Sequence, residues 1–255
     1  MAKGNLETIL ILVCMAVAVG VGFSWTLKSE SQNAEPTFTP FTAQIEVKHY
    51  GSAAADAAAE ITHTTTARKA DGSQATFTTV HSPDGKKIGE VGDIFDVSTG
   101  REMSLESFTR SKSTIFLSPV EVNGKLHAQD GCSASISPSV HHAVMLRQKV
   151  YNIVSTNPSP SVTEADNLWV APELGCFVLK GIYRLSTGPW NQRTVISLKV
   201  GSPSESMFQS PAGYVERSPK QLAAAWQKTF PGYPFMGEGH LKTAETKYRA
   251  HRRPH

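Results

Sequence analysis

Four groups of side chains in this chain have the types and spacing to suggest chemistry. His141-His142 is an adjacent imidazole pair, and His127, Asp130 and Cys132 place a base and an acid near a thiol. Glu164 and Asp166 are carboxylates two residues apart, and Trp169, Trp190 and Trp226 are rings large enough to line an apolar hollow. Adjacent residues point to opposite sides of a strand and about 100° apart on a helix, so the two imidazoles do not chelate one metal without a loop to turn them. A reactive thiol needs a lowered pKa and a positioned base, and the sequence around Cys132 shows neither. Glu164 and Asp166 share one face of an extended segment and read as surface acids. No G-x-S-x-G elbow, S-x-x-K, H-E-x-x-H, P-loop or G-x-G-x-x-G is present. Nor is there a C-x-x-C or a Cys/His set at zinc spacing. The expectation is a protein that is not an enzyme and holds no cofactor and no metal.

Of the three cysteines, Cys14 lies in an apolar run, which leaves Cys132 and Cys176. In an exported domain two such cysteines pair as a disulfide, closing a loop worth roughly 3–4 kcal/mol. The alternative is two buried free thiols.

Most of the chain has the period of strands. Phe41, Ala43, Ile45, Val47 and His49 alternate with Thr42, Gln44, Glu46 and Lys48, the pattern of a half-buried strand. Ile61–Ala70 and Gln74–His81 flank Asp71-Gly72, and Asp84-Gly85 precedes Lys86–Val97. Asn123-Gly124 separates Ile115–Val122 from Lys125–Gln129. Such dipeptides favour hairpins because type I′ turns need positive φ at both central positions. Arg147–Val154 and Asn167–Ala171 continue the strands. Phe177, Leu179, Tyr183 and Leu185 line one face of the next, and Thr194, Ile196, Leu198 and Val200 line another. Only one soluble helix is expected, starting at Ser218 as N-cap with Pro219 at N1 and Gln221 completing a capping box. Leu222, Ala225, Trp226 and Thr229 give it one apolar face, and Pro231-Gly232 stops it.

The N-terminus sets the address. Thr8 to Leu27 carries no charge, and about 20 residues of helix make roughly 30 Å, the thickness of a bilayer core. Residues 8–27 are therefore expected to anchor the chain in the membrane after a short cytoplasmic tail, residues 1–7. A cleaved signal peptide, which would release a secreted protein, and a buried core helix are the alternatives. Residues 28–40 read as a flexible stalk and 41–216 as the β domain. Residues 217–238 hold the helix and a Pro/Gly loop, and 239–255 read as a disordered tail. Lys242, Lys247, Arg249, Arg252 and Arg253 face only Glu245 there. Those residues alone outweigh the formal net charge of +3 of the whole chain, so the remainder is near neutral and offers no nucleic-acid groove.

Two motifs carry a family resemblance. Trp169-Val170-Ala171-Pro172-Glu173-Leu174-Gly175 is followed after two strands by Met207-Phe208-Gln209-Ser210-Pro211-Ala212-Gly213-Tyr214. Ala70-Asp71-Gly72, Ser82-Pro83-Asp84-Gly85-Lys86 and Gly92-Asp93-Ile94-Phe95-Asp96 extend the pattern upstream. Over roughly residues 41–216 the chain resembles exported acidobacterial-type proteins of the outer-membrane lipoprotein-sorting (LolA/LolB-like) β-fold. The resemblance implies an open, half-barrel antiparallel sheet with helices over its concave face. In such carriers the hollow holds acyl chains, and a related periplasmic regulator senses mislocalised lipoprotein. The chain departs from that pattern in its anchor and in lacking a lipoprotein cysteine.

The sequence thus leads to a mainly β domain, an open curved sheet with a C-terminal helix, tethered to the inner membrane and exported to the periplasm. It would bind an apolar ligand or a lipoprotein-like partner, with Trp169, Tyr183, Leu222 and Trp226 as candidate cavity-lining residues. A regulatory ectodomain working through protein contacts and a structural envelope protein are the alternatives.

Overall fold

The computed structural model describes residues 37–51, 60–81, 86–129, 141–153, 162–185, 190–229 and 238–251. Its first six strands are β1 (Phe41–Tyr50), β2 (Glu60–Arg68), β3 (Gln74–His81), β4 (Lys87–Asp96), β5 (Arg101–Glu106) and β6 (Ser111–Phe116). Five more follow a helix: β7 (His142–Met145), β8 (Gln148–Ile153), β9 (Val162–Ala171), β10 (Phe177–Leu185) and β11 (Trp190–Val200), with β12 (Val215–Glu216) last. The helices are α1 (Pro119–Gln129), α2 (Pro219–Thr229) and α3 (Glu238–His251).

All twelve strands form one sheet in the order β12-β6-β5-β4-β3-β2-β1-β11-β10-β9-β8-β7. Two meanders, β1 to β6 and β7 to β11, meet where β1 pairs with β11. The expectation of a mainly β, single-sheet domain agrees with this, with one correction: the sheet is mixed. Val215 and Glu216 of β12 run parallel to Ser111 and Lys112 of β6, because the chain returns to that edge from across the molecule.

Asp71-Gly72 joins β2 to β3 in a hairpin as expected, but not by a type I′ turn: Gly72 has a positive φ and Asp71 does not, and the Lys69 N–H donates to the Ser73 carbonyl at 2.9 Å around a longer loop. Gly72 has φ 89°, and a Cβ there would lie 2.4 Å from Leu126 Cδ2 and 2.8 Å from a Phe38 ring carbon, so packing as well as conformation requires glycine. The β1 alternation is also as expected. Phe41, Ala43, Ile45, Val47 and His49 are all buried.

In β11 the predicted stripe is broken. The β1–β11 register shifts between Gln44 and Ile45, so Ile45 pairs with Val195 while Gln44 pairs with Ser197. This bulge turns Ile196 outward, to 48% exposure, and puts Val195 and Leu198 on the core side.

Three further expectations are corrected. Asn123-Gly124 is not a hairpin; it lies on the exposed side of α1. Ser118 and Glu121 form a capping box, their side chains exchanging bonds with each other's backbone N–H at 3.4 and 2.9 Å, and Pro119 stands at N1. Leu126 then anchors the helix by burial. The basic tail is likewise helical from Glu238 to His251. It buries Glu245 and Tyr248, and Lys247 pairs with Glu121. The stalk, finally, ends before Thr37–Pro40, where Phe38 is buried and its N–H donates to the Ala70 carbonyl at 2.8 Å.

The expected helix at Pro219–Thr229 does form, with the Ser218 N–H donating to Gln221 Oε1 at 2.9 Å. The span expected at 8–27 lies outside the described residues. Among those described, no helix is long and apolar enough to cross a membrane.

Candidate functional site

Strand register assembles one face of the sheet row by row. Leu198, Ala43, Thr66, Thr76, Asp93, Ser104 and Ser113 are successive partners from β11 to β6. The next row runs Val195, Ile45, Thr64, Thr78, Val91, Glu106 and Ser111. At one end of the face Tyr183, Asn191, His49 and Glu60 align across β10, β11, β1 and β2. The β8–β11 and β1 half of this face is apolar: Phe41, Ala43, Ile45, Val47, Val150, Leu179 and Val195 form one buried cluster. Trp169, Phe177 and Leu198 pack against that cluster while keeping some exposure. The β2–β6 half is lined by hydroxyls. Thr64 and Thr78 are 3.0 Å apart, Thr66 and Thr76 3.1 Å, and Ser104 donates to Asp93 at 2.8 Å.

This face is concave. The rings of Phe41 on β1 and Phe177 on β10 lie with centroids 4.6 Å apart although β11 stands between those strands. Strands two apart in a flat sheet are separated by about 9.5 Å, a gap two leaning rings can close. The curl shows at the strand ends, where Gln129 of α1 donates to the Gly72 carbonyl in the β2–β3 turn at 3.0 Å while its own carbonyl lies 2.6 Å from the place a Gly175 Cβ would take in the β9–β10 turn. The same end is closed by Arg68 of β2. Its guanidinium covers the rings of Phe38 and Phe41 at 5.0 and 4.9 Å and comes within 2.7 Å of the place a Gly175 Cβ would take. Helix α1 lies over this end, with Lys125 bonded to Glu102 at 2.9 Å and set over the Phe95 ring.

Burial governs the charges here. It pushes the Glu60 carboxyl up to about 7 and that of Asp93 up to about 6, the latter against the lowering effect of the Ser104 hydroxyl. It also lowers His49, with the Asn191 bond opposing, and lowers Arg193, with Tyr183 opposing. The Arg193 guanidinium stands 5.1 Å from the Phe177 ring centre.

His49 is bonded on both nitrogens, Nδ1 to Asn191 Oδ1 and Nε2 to Thr62 Oγ1, each at 3.0 Å. Because the amide oxygen only accepts, Nδ1 carries the proton, and in the neutral ring Nε2 accepts from the Thr62 hydroxyl. A hydroxyl, an imidazole and an orienting amide have the form of a nucleophile relay. Thr62 is only 1% exposed and His49 only 2%, so the hydroxyl is closed to any substrate and the trio ties three strands together instead.

The structure separates the four cavity residues expected from sequence. Trp169 packs on the apolar wall and Tyr183 stands in the polar end row. Leu222 and Trp226 are 0% and 1% exposed, with Trp226 against the Phe108 ring at 5.7 Å in the β5–β6 turn. They are core, and α2 is no lid on the apolar wall; the helix over the concave face is α1. Trp190 stacks on Tyr50 at 3.7 Å. His127, His141 and His142 are exposed, and Asp130 and Cys132 lie outside the described residues. Glu164 and Asp166 fall in β9. Among the described residues no three His, Cys, Asp or Glu groups could hold a metal. Sequence reasoning passed over Asn191, Arg193 and Glu60; the one available signal was His49, a polar residue ending an apolar stripe.

A second concavity lies on the opposite face. Arg101, Lys112, Thr114, Phe116, Glu216, Tyr248 and His251 enclose a cleft of about 400 Å³ between β6 and α3.

No protein-family model matches the chain, and no curated protein matches it by sequence. Among solved structures it is similar to a LolA superfamily protein from Nitrosomonas europaea, at 11% identity and a TM-score of 0.33, covering 69% of this chain and 93% of that one. It is also similar to a beta-barrel-like protein of a domain of unknown function, DUF1849, from Brucella abortus. There the identity is 11% and the TM-score 0.32, over 65% of this chain and 99% of that one. At such scores the likenesses carry no argument about what this chain does.

Proposed function

We propose that this chain is a non-enzymatic envelope domain, tethered by its N-terminal apolar segment, whose concave face receives an apolar ligand or the acyl portion of a lipoprotein-like partner. The observation that supports this is the aromatic wall at Trp169 and Phe177, partly exposed beside the end of the sheet where α1 reaches both the Gly72 and the Gly175 turns. Trp169, Phe177 and Leu198 keep partial exposure on that wall. The described helices α2 and α3 pack at the β6 end and leave it open to them. A pocket of this kind, largely apolar with a few placed polar groups, suits a ligand with a hydrocarbon chain. The half-buried hydroxyls of Thr66, Thr76 and Ser104 on the other half of the face provide the polar groups.

The periplasm is the compartment this reading requires. A Cys132–Cys176 disulfide belongs to the same proposal, supported by these being the two cysteines outside the N-terminal apolar run. Native mass spectrometry of the full chain released from membranes tests the function. A bound lipid or acylated peptide is expected, and a bare chain in every preparation would leave the partner-binding alternative.

A further inference from the structure

The outer cleft is a separate matter from the concave face. Its walls are the Phe116 ring, the buried Tyr248 and the His251 imidazole, which stacks on Phe116 with centroids 3.7 Å apart. Its cations are Arg101 and Lys112. Arg101 Nη2 stands 3.6 Å from Asp96, but its Nε is buried with no hydrogen-bond partner among the described residues. Lys112 has no ion-pair partner within 4.0 Å among them. The one carboxylate in the lining is already engaged. Glu216 accepts the Thr114 N–H at 2.8 Å and the Thr114 hydroxyl at 3.1 Å. What remains is an aromatic slot with the Lys112 ammonium and the partly exposed Arg101 side chain at its wall.

We propose that this cleft binds a single-chain fatty acid, its carboxylate received by Lys112 and Arg101 and its chain laid between Phe116 and Tyr248. Two cations line this wall while its one carboxylate is taken up by Thr114, which favours an anionic head group, and hydrogen bonds from ionised donors to a carboxylate are the strong ones. A volume of about 400 Å³ stands near the low end of ligand pockets, which run from about 300 to 1,000 Å³, and so suits one chain rather than several.

Photo-crosslinking of the full chain in membranes tests this, using a diazirine-bearing fatty acid and the fatty alcohol of the same chain. The acid should label peptides holding Phe116 and Tyr248 at least tenfold more than the alcohol does. Lys112→Met should abolish that preference and Lys112→Arg should restore it, while Phe116→Ala should reduce labelling by both probes. Equal labelling by acid and alcohol, or a preference that survives Lys112→Met, overturns the proposal. Labelling confined to β1 and β8–β11 also overturns it, while upholding the concave-face function on its own.

Discussion

Phe41 and Phe177 touch across an intervening strand, their ring centroids 4.6 Å apart at an interplanar angle of 44°. Close to it, β10 pairs with β9 through register shifts between Val178 and Lys180 and between Lys180 and Ile182. Phe177→Ala should destabilise the domain by about 2–3 kcal/mol, less than the roughly 3–5 of a fully buried ring, because Phe177 keeps some exposure. It should also weaken acyl binding. Urea unfolding and a binding titration on the same variant check both outcomes.

Trp226 should behave in the opposite way. At 1% exposure against Phe108 it is core, so Trp226→Ala should cost about 3–5 kcal/mol and leave acyl binding unchanged. A variant that keeps its stability and changes its binding would return α2 to the ligand site.

Stability should fall as the pH rises from about 4.5 to 7. Glu60 titrates near 4.5 when unfolded and at about 7 when folded, and Asp93 moves from 3.8 to about 6. Between those values the native state holds more protons than the unfolded chain, so raising the pH favours unfolding. The stability is complete below the unfolded values and is lost through the folded ones, on the order of 1–3 kcal/mol for Glu60. Glu121, held down to about 2 by Lys247, has the reverse sign and acts only below 4.5. Buried His49, whose pKa is lowered, opposes this by adding stability as the pH rises toward 6.5. Glu60→Gln with Asp93→Asn should therefore remove the fall and leave the His49 rise in the urea midpoints, and a fall with rising pH that persists in the double variant would place its source elsewhere.

Cys132 and Cys176 should be recovered as one disulfide-linked peptide pair without reduction. Cys132→Ala and Cys176→Ala should each cost about 3–4 kcal/mol, and the double variant no more than either. Recovery of both as alkylated thiols before any reductant would disprove the pairing.

Where local signals were strong, the fold was legible in the sequence. The Phe41–His49 alternation, the Asp71-Gly72 hairpin and the Ser218–Gln221 capping box all stand as their residue types predict. Asn123-Gly124 misled because the stronger signal lay five residues upstream, in Ser118, Pro119 and Glu121, where a capping box outweighs one glycine in an exposed helix position. The basic tail looked disordered by charge alone. Its order comes from single long-range contacts: Glu245 accepting the Lys220 N–H at 3.1 Å and Lys247 meeting Glu121. No local pattern reveals such contacts. The candidate site was less legible for the same reason. Trp169 is marked by its size, but His49, Asn191 and Glu60 become one row only when β11, β1 and β2 pair.

The occupancy of the concave face is tested most directly by tryptophan quenching with brominated acyl chains. The chain has four tryptophans, Trp25, Trp169, Trp190 and Trp226, and variants keeping a single one isolate each signal. Trp169 lies on the apolar wall with partial exposure, whereas Trp226, on the buried face of α2, is 1% exposed. A diacylated lipopeptide brominated along its chains should quench the Trp169-only protein saturably and leave the Trp226-only protein unchanged. If Trp169 is not quenched, or if Trp226 is quenched as strongly, the concave face does not hold the acyl chain.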